Sequence, residues 1–260
     1  MDCPAEFVAL AERLAEASGK IVRRYFRTSI EIITKADTSP VTIADRETET
    51  ALRQMVKLAY PDHGLIGEEF PAERADAEFV WVFDPIDGTK SFITGRPLFG
   101  TLIALLHRGK PILGVIDSPA IGERWVGSSG RPTTFQGNSV KVRSCADLGQ
   151  AVLAASSPHM FGTPEAAEAF ARVQRKAGLT LYGADCYAYG LIASGFHDIV
   201  IEANNGIHDF LPLVPVIEGA GGIVTDWEGR TLGVHSGDKV LAAGDRRMHA
   251  AALKLIRNSN

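Results

Sequence analysis

Residues 81–92 read Trp81-Val-Phe-Asp84-Pro-Ile-Asp87-Gly-Thr89-Lys-Ser-Phe92, an apolar strand that runs directly into two carboxylates. Pro85 fixes the turn between them, so Asp84 and Asp87 can converge on one spot with the Ile86 carbonyl between them. Gly88 and Thr89 then fall where a helix would begin. Free N–H groups and the positive end of a helix make such a place an anion site. Hard oxygen ligands beside a phosphate-sized pocket describe a Mg²⁺-dependent phosphoryl site. Taken alone, D-x-x-D-G fits a pair of capping aspartates with Gly in a turn equally well.

Three further acidic groups extend the pattern. Glu68 follows the short apolar run Leu65-Ile66, so it emerges at a strand end as Asp84 does. Asp45 stands at a helix start, where Thr42-x-x-Asp45 forms a capping box. Asp209 opens a late helix. If all five share one cleft, they stay ionised at pH 7 only with cations bound.

Outward from this stretch, the chain alternates helical and strand patterns. Phe7 to Phe26 carries apolar residues at helical spacing, and a second helix is expected from Ile43 to Ala59. Between them Thr34 to Pro40 is turn chemistry. Strands are expected at Leu65-Ile66, Phe79–Phe83, Gly100–Leu106, Pro111–Ile116, Glu123–Val126 and Ser139–Val142. A second α/β half follows, with strands at Val152–Ala155, Asp198–Ile201, Ile223–Asp226 and Lys239–Ala243. Its helices are expected at Pro164–Ala177, Cys186–Ser194, Asp209–Ala220 and Arg246–Ile256. Pro215 lies inside the third of these, which implies a bend or a late start. The layout is layered α/β with mixed sheets. It is read as a single domain over 1–260, with a metal and phosphate half over 1–145 and a substrate half over 146–260.

Composition excludes other classes. The 260 residues carry 27 Lys+Arg against 31 Asp+Glu, a formal charge of −4, with 45% hydrophobic and 22% charged residues. These are the proportions of a globular protein with a large core. A mildly acidic chain without basic runs is a poor nucleic-acid binder, and no apolar run approaches a membrane span. The N-terminus has no basic and apolar leader pattern. Three widely spaced cysteines without CxxC pairing fit a reducing cytoplasm. No P-loop motif points to an NTPase, and Cys186 lacks the basic phosphate loop of a thiol nucleophile.

Four ordered motifs resemble the inositol monophosphatase-like family over nearly the whole chain. They are Ser39-Pro-Val-Thr-Ile-Ala-Asp45, Leu65-Ile-Gly-Glu-Glu69, Trp81 to Thr89, and Asp209 with Glu218-Gly-Ala-Gly-Gly222. The resemblance implies an αβαβα sandwich, a homodimer, and a Mg²⁺-dependent, lithium-sensitive phosphatase. By the same resemblance Glu68, Asp84 and the Ile86 carbonyl hold one Mg²⁺; Asp84, Asp87 and Asp209 hold a second, and Glu68 with water holds a third. The mechanism it implies is direct hydrolysis of a phosphate monoester by metal-activated water, with no phosphoenzyme. Glu68 and Thr89 orient and deprotonate the water, Asp45 supports Thr89, and the Gly88 and Thr89 N–H groups hold phosphate. One departure is His208-Asp209 where the family has Trp-Asp, which leaves the carboxylate in place and alters its packing.

Within the family, Gly183-Ala-Asp-Cys-Tyr-Ala-Tyr189, Thr89-Lys-Ser-Phe-Ile-Thr-Gly95 and Leu213 to Gly222 look like the histidinol-phosphatase branch. Histidinol carries an ammonium and an imidazole, and inositol carries neither. A wall of Asp185 and Glu202, with Asn205 as a weaker candidate, favours the cationic alcohol through charge-assisted hydrogen bonds. Asp185 also fits an N-cap of the helix from Cys186. The rivals are an inositol-1-phosphate or sugar-phosphate phosphatase, and a non-catalytic scaffold, which loss of a metal carboxylate would mark; all five acidic positions are intact.

Overall fold

The computed structural model describes residues 1–34 and 40–257, so Ser39 of the first motif lies outside the described residues. Helix α1 (Ala5–Tyr25) is followed by a ribbon of β1 (Ile32–Thr34) and β2 (Pro40–Thr42), then by α2 (Ile43–Ala59). The expected capping box opens α2: the Thr42 side chain accepts from the backbone N–H of Ala44, and Asp45 accepts from the backbone N–H of Thr42.

A seven-stranded sheet comes next, its strands neighbours in chain order. It comprises β3 (Gly64–Gly67), β4 (Phe79–Asp87), β5 (Gly100–His107), β6 (Lys110–Ser118), β7 (Glu123–Ser128), β8 (Arg131–Phe135) and β9 (Asn138–Ser139). Only the β3–β4 pair is parallel. The short helix α3 (Thr89–Ile93) interrupts the path from β4 to β5. After β10 (Val152–Ala155), the chain forms α4 (Pro164–Gln174), β11 (Leu179–Tyr182), α5 (Tyr187–Ala193) and β12 (Ile199–Glu202). It closes with α6 (Ile207–Phe210), α7 (Leu213–Gly219), β13 (Ile223–Thr225), β14 (Val240–Ala243) and α8 (Arg246–Arg257). The second sheet has five strands in the order β11-β10-β12-β14-β13.

Strand alternation sorts the apolar residues into layers. Trp81, Phe83, Ile103, Leu105, Leu113 and Val115 face α1 and α2. Val80, Val82, Leu102, Ala104 and Ile116 face inward, where they meet Tyr189, Ile192, Val214 and Ile217 of the central helices and Val200 and Ala242 of the second sheet. On the far side, Leu153, Ile199 and Ile201 pack against Phe170, Val173, Met248 and Ala252 of α4 and α8. The sequence of layers is therefore α1/α2, first sheet, α5–α7, second sheet, α4/α8, the αβαβα sandwich.

The late helix differs from its expected bounds. It begins two residues earlier, as α6, breaks, and restarts as α7 with Pro212 at its N-cap and Pro215 in its first turn. A proline ring is tolerated in a first turn and not in a helix interior, so two prolines three residues apart force the break. Strands β8 and β11 were not expected, and the strand expected over Ser139–Val142 shrinks to Asn138–Ser139.

Candidate active site

Strand β4 carries the first acidic pair. Its ladder with β5 is regular up to Asp84 and resumes at Asp87, with an irregularity between them. Inside this bulge the Ile86 N–H donates to Asp84 Oδ1 at 3.0 Å, and the Thr101 hydroxyl donates to the Pro85 carbonyl at 2.8 Å. The bulge leaves both carboxylates on the inner end of the strand. Asp209 arrives from α6, where its Oδ2 accepts from the Gly206 N–H at 2.6 Å. One carboxylate oxygen from each of Asp84, Asp87 and Asp209 lies within 4.8 Å of the others.

Burial pushes all three carboxyls up. Asp84 is raised further by Glu68, Asp209 and Asp87, and Asp87 by Asp185 and Asp209. His208, 3.5 Å from Asp209, pulls the other way; this is what the departure from Trp-Asp supplies. Among the described residues no Lys or Arg pairs with the three. The arrangement is oxygen-only and close-set, with His208 beside Asp209 as its one basic neighbour among the described contacts, which fits a hard divalent cation.

Two neighbours complete this end of the site. Glu68, at the end of β3, is near enough to raise Asp45, Asp84 and Asp209. Asp45 is buried and its carboxyl is pushed up to about 6 by burial. Its Oδ2 accepts from the Thr42 N–H and hydroxyl, whereas Oδ1 is buried with no partner. No hydrogen bond joins Asp45 to Thr89: the capping box claims the aspartate, and the Thr89 hydroxyl donates to the Ile86 carbonyl at 3.0 Å. Gly88, the residue before α3, sits at φ +82°, and a Cβ there would lie 2.7 Å from Asp185 Oδ2. Glycine is required for both reasons.

Beyond the acid cluster lies a cavity of about 130 Å³ lined by Asp87, Asp185, Glu202, Asn205 and Asp209, with Tyr189, Ser156 and Met160. Asp185 does not cap α5; that position is Cys186, whose side chain makes no capping bond. Instead Asp185, at φ +47°, accepts from the Ser91 hydroxyl at 2.9 Å. The Cys186 N–H donates to Asp87 at 2.6 Å. Glu202 is buried at the end of β12, accepting from the Ser156 N–H and hydroxyl and from the Tyr189 hydroxyl. Burial lifts its carboxyl to about 7 against those bonds. The Asn205 amide donates to the Asp238 carbonyl, so it is a half-committed wall residue. Ser91, Ser156 and Tyr189 had no assigned role in the sequence, because their partners lie 94, 46 and 13 residues away.

The layered sandwich sets an acid cluster where the end of β4 meets α6, an arrangement suited to metal-assisted phosphoryl chemistry. The chain belongs to the inositol monophosphatase family, whose model matches residues 4–260. It is 51% identical over 259 residues to a protein of Arabidopsis thaliana named "Bifunctional phosphatase IMPL2, chloroplastic", covering 96% of this chain and 75% of that one. It is 36% identical over 222 residues to a "Histidinol-phosphatase" of Chlorobaculum parvum, covering 85% and 86%. Among solved structures it resembles an inositol monophosphatase from Zymomonas mobilis, with a TM-score of 0.90, 44% identity, and coverage of 98% and 100%.

Proposed function

We propose that this phosphatase hydrolyses L-histidinol phosphate to L-histidinol and phosphate, a step of histidine biosynthesis. The observation that carries the reading is the cavity beside the acid cluster. Beyond Asp87 and Asp209 of the acid cluster, its wall adds two carboxylates, Asp185 and Glu202, and no lysine or arginine lines it, although Arg96 and Lys90 lie near enough to Asp185 to lower it. Such a wall recognises a substrate whose leaving alcohol is itself cationic. Asp185, held by Ser91 and standing over Gly88, is the carboxylate best placed to meet the ammonium or imidazole. Glu202 already accepts three hydrogen bonds and, with its carboxyl lifted to about 7, shapes the wall more than it charges it.

Glu68, Asp84, the Ile86 carbonyl, Asp87 and Asp209 would hold two to three Mg²⁺ ions, which would supply Lewis acidity to the attacking water and the leaving oxygen. The Gly88 and Thr89 N–H groups hold the phosphate oxygens. Because the Thr89 hydroxyl donates its hydrogen bond to the Ile86 carbonyl, its lone pairs are free to orient the attacking water, and Glu68 takes that water's proton. As the new P–O bond forms, the bond to the alcohol breaks, and the departing oxygen gains a proton from water beside Asp209. Asp45 acts through its charge and not through a bond to Thr89.

The second reading is an inositol-1-phosphate or related sugar-phosphate phosphatase, which the name of the Zymomonas protein favours. Phosphate release from histidinol phosphate and from inositol 1-phosphate, compared as kcat/KM, separates the two; a preference for inositol 1-phosphate overturns the first. We also propose that the chain works as one domain over 1–260 and as a homodimer. The exposed Leu179, Leu181 and Tyr182 on the edge strand β11 support the dimer. Among the described residues no helix is long and apolar enough to cross a membrane. The unpaired Cys3, Cys145 and Cys186 support a reducing compartment such as the cytoplasm.

A further inference from the structure

Helix α2 presents two carboxylates one turn apart on a single face. Asp45 looks towards the acid cluster; Glu49, fully buried, looks towards the chain segment that carries Glu68. Glu49 Oε2 accepts from the backbone N–H of Glu69 at 2.7 Å, and Oε1 accepts from Arg53 Nε at 2.7 Å. Arg53, itself buried, continues the brace: it donates to the Phe70 carbonyl at 3.0 Å and to Glu73 at 3.2 Å. Glu73 is tied back to β3 by a pair of 2.8 Å backbone bonds with Leu65. The loop from Gly67 to Glu73 is therefore closed at its base and gripped along its length by one glutamate–arginine pair. Gly67 shows how close the grip is, since a Cβ there would lie 1.9 Å from Glu49 Oε1.

We infer that Glu49, braced by Arg53, is a positioning residue that fixes the backbone at Glu69 and so aims Glu68 at the acid cluster. Neither Glu49 nor Arg53 lines the cavity. Asp45, Asp84 and Asp209 repel Glu68 when no cation is present, so its backbone has to be held against that repulsion, and a buried anchor on a rigid helix is suited to do so. A carboxylate is suited to the task because it accepts from an amide and from a guanidinium at once. Groups that hold a metal-binding residue in place typically change metal affinity or activity by about 10- to 100-fold when lost.

This inference rests on the reading of Glu68 as a metal-holding residue, and the test separates the two. Mg²⁺ affinity of the full chain is measured by calorimetry and by the rise in melting temperature with added Mg²⁺, for wild type, Glu49→Gln, Arg53→Lys and Glu68→Gln. A glutamine offers one acceptor where two donors wait, so Glu49→Gln is expected to weaken Mg²⁺ binding by about 10-fold or more. Activity is expected to recover at high Mg²⁺, with KM for substrate unchanged. Arg53→Lys keeps the charge but loses the fork, and is expected to shift Mg²⁺ affinity the same way by less; it decides the matter if Glu49→Gln does not fold. Lower melting temperatures with Mg²⁺ affinity within about twofold of wild type, while Glu68→Gln weakens it, overturn the positioning role alone. Unchanged affinity in Glu68→Gln overturns the reading beneath it.

Discussion

Glu202 offers a measurement that isolates one buried group. Its carboxyl, ordinarily near 4.5, is lifted to about 7 by burial, although Ser156 and Tyr189 both donate to it. A raised carboxyl favours the folded state fully below its unfolded value, and that contribution is lost as pH rises through the folded value. Between pH 4.5 and 7 the difference of about 2.5 units corresponds to about 3 kcal/mol. For a chain of this length, about 3 kcal/mol is roughly 6–9 °C in melting temperature. Glu202→Gln removes the titration and keeps the packing: the amide oxygen accepts from Ser156, and its NH₂ donates to the Tyr189 oxygen. The assay is calorimetric melting in chelator, at steps from pH 4.5 to 8, of wild type and variant. Other buried carboxyls, Asp84 and Asp87 among them, make both proteins less stable as pH rises, so the difference between the curves carries the information. The variant is expected to gain on wild type by about 3 kcal/mol across this range. Parallel curves would refute the argument that Glu202 is desolvated and titrates near neutrality.

Four other outcomes follow from the same geometry. Asp84→Asn is expected to lower Mg²⁺-dependent phosphate release by about 100-fold or more and to raise the metal-free melting temperature; activity within tenfold of wild type defeats the assignment. Asp185→Ala is expected to raise KM for histidinol phosphate by about 10- to 100-fold, leaving inositol 1-phosphate nearly unaffected, and equal losses on both reduce Asp185 to a support for Ser91. Gly88→Ala puts a methyl 2.7 Å from Asp185 Oδ2 in a left-handed backbone, so a kinetic comparison is expected to show a loss of kcat of about 10-fold or more; wild-type rates would mean that the turn is not rigid. Lithium is expected to inhibit with an uncompetitive or mixed pattern, and full activity in high millimolar lithium at limiting Mg²⁺ excludes this.

The layers were legible wherever a face is wholly buried. Val80 to Phe83 and Leu102 to Leu106 read as strands because both sides of the first sheet are covered, giving continuous apolar runs. The strand Arg131–Phe135 opens with Arg-Pro and is mostly polar, and Leu179–Tyr182 is an edge that exists through parallel pairing with β10. Neither carries its partner in its own residues. At the site, Asp84, Asp87, Gly88 and Thr89 share one turn and were legible together. Asp185 lines the cavity, but its local setting was not legible: at positive φ its side chain meets Ser91 instead of capping α5. The grip of Glu49 on Glu69 was invisible, since a glutamate in a helix pattern reads as a solvated face.

The acid cluster is composite. Asp84 and Asp87 end a strand of the first sheet, whereas Asp209 and the Cys186 N–H that steadies Asp87 come from the central helices. During synthesis the first sheet can be complete while Asp209 is still some seventy residues from emerging, so a growing chain has half a cation site. Closure brings like charges together, so a cation held there would stabilise the last docking step more than the folding of either sheet. Stability conferred in this way grows with the logarithm of free ion concentration.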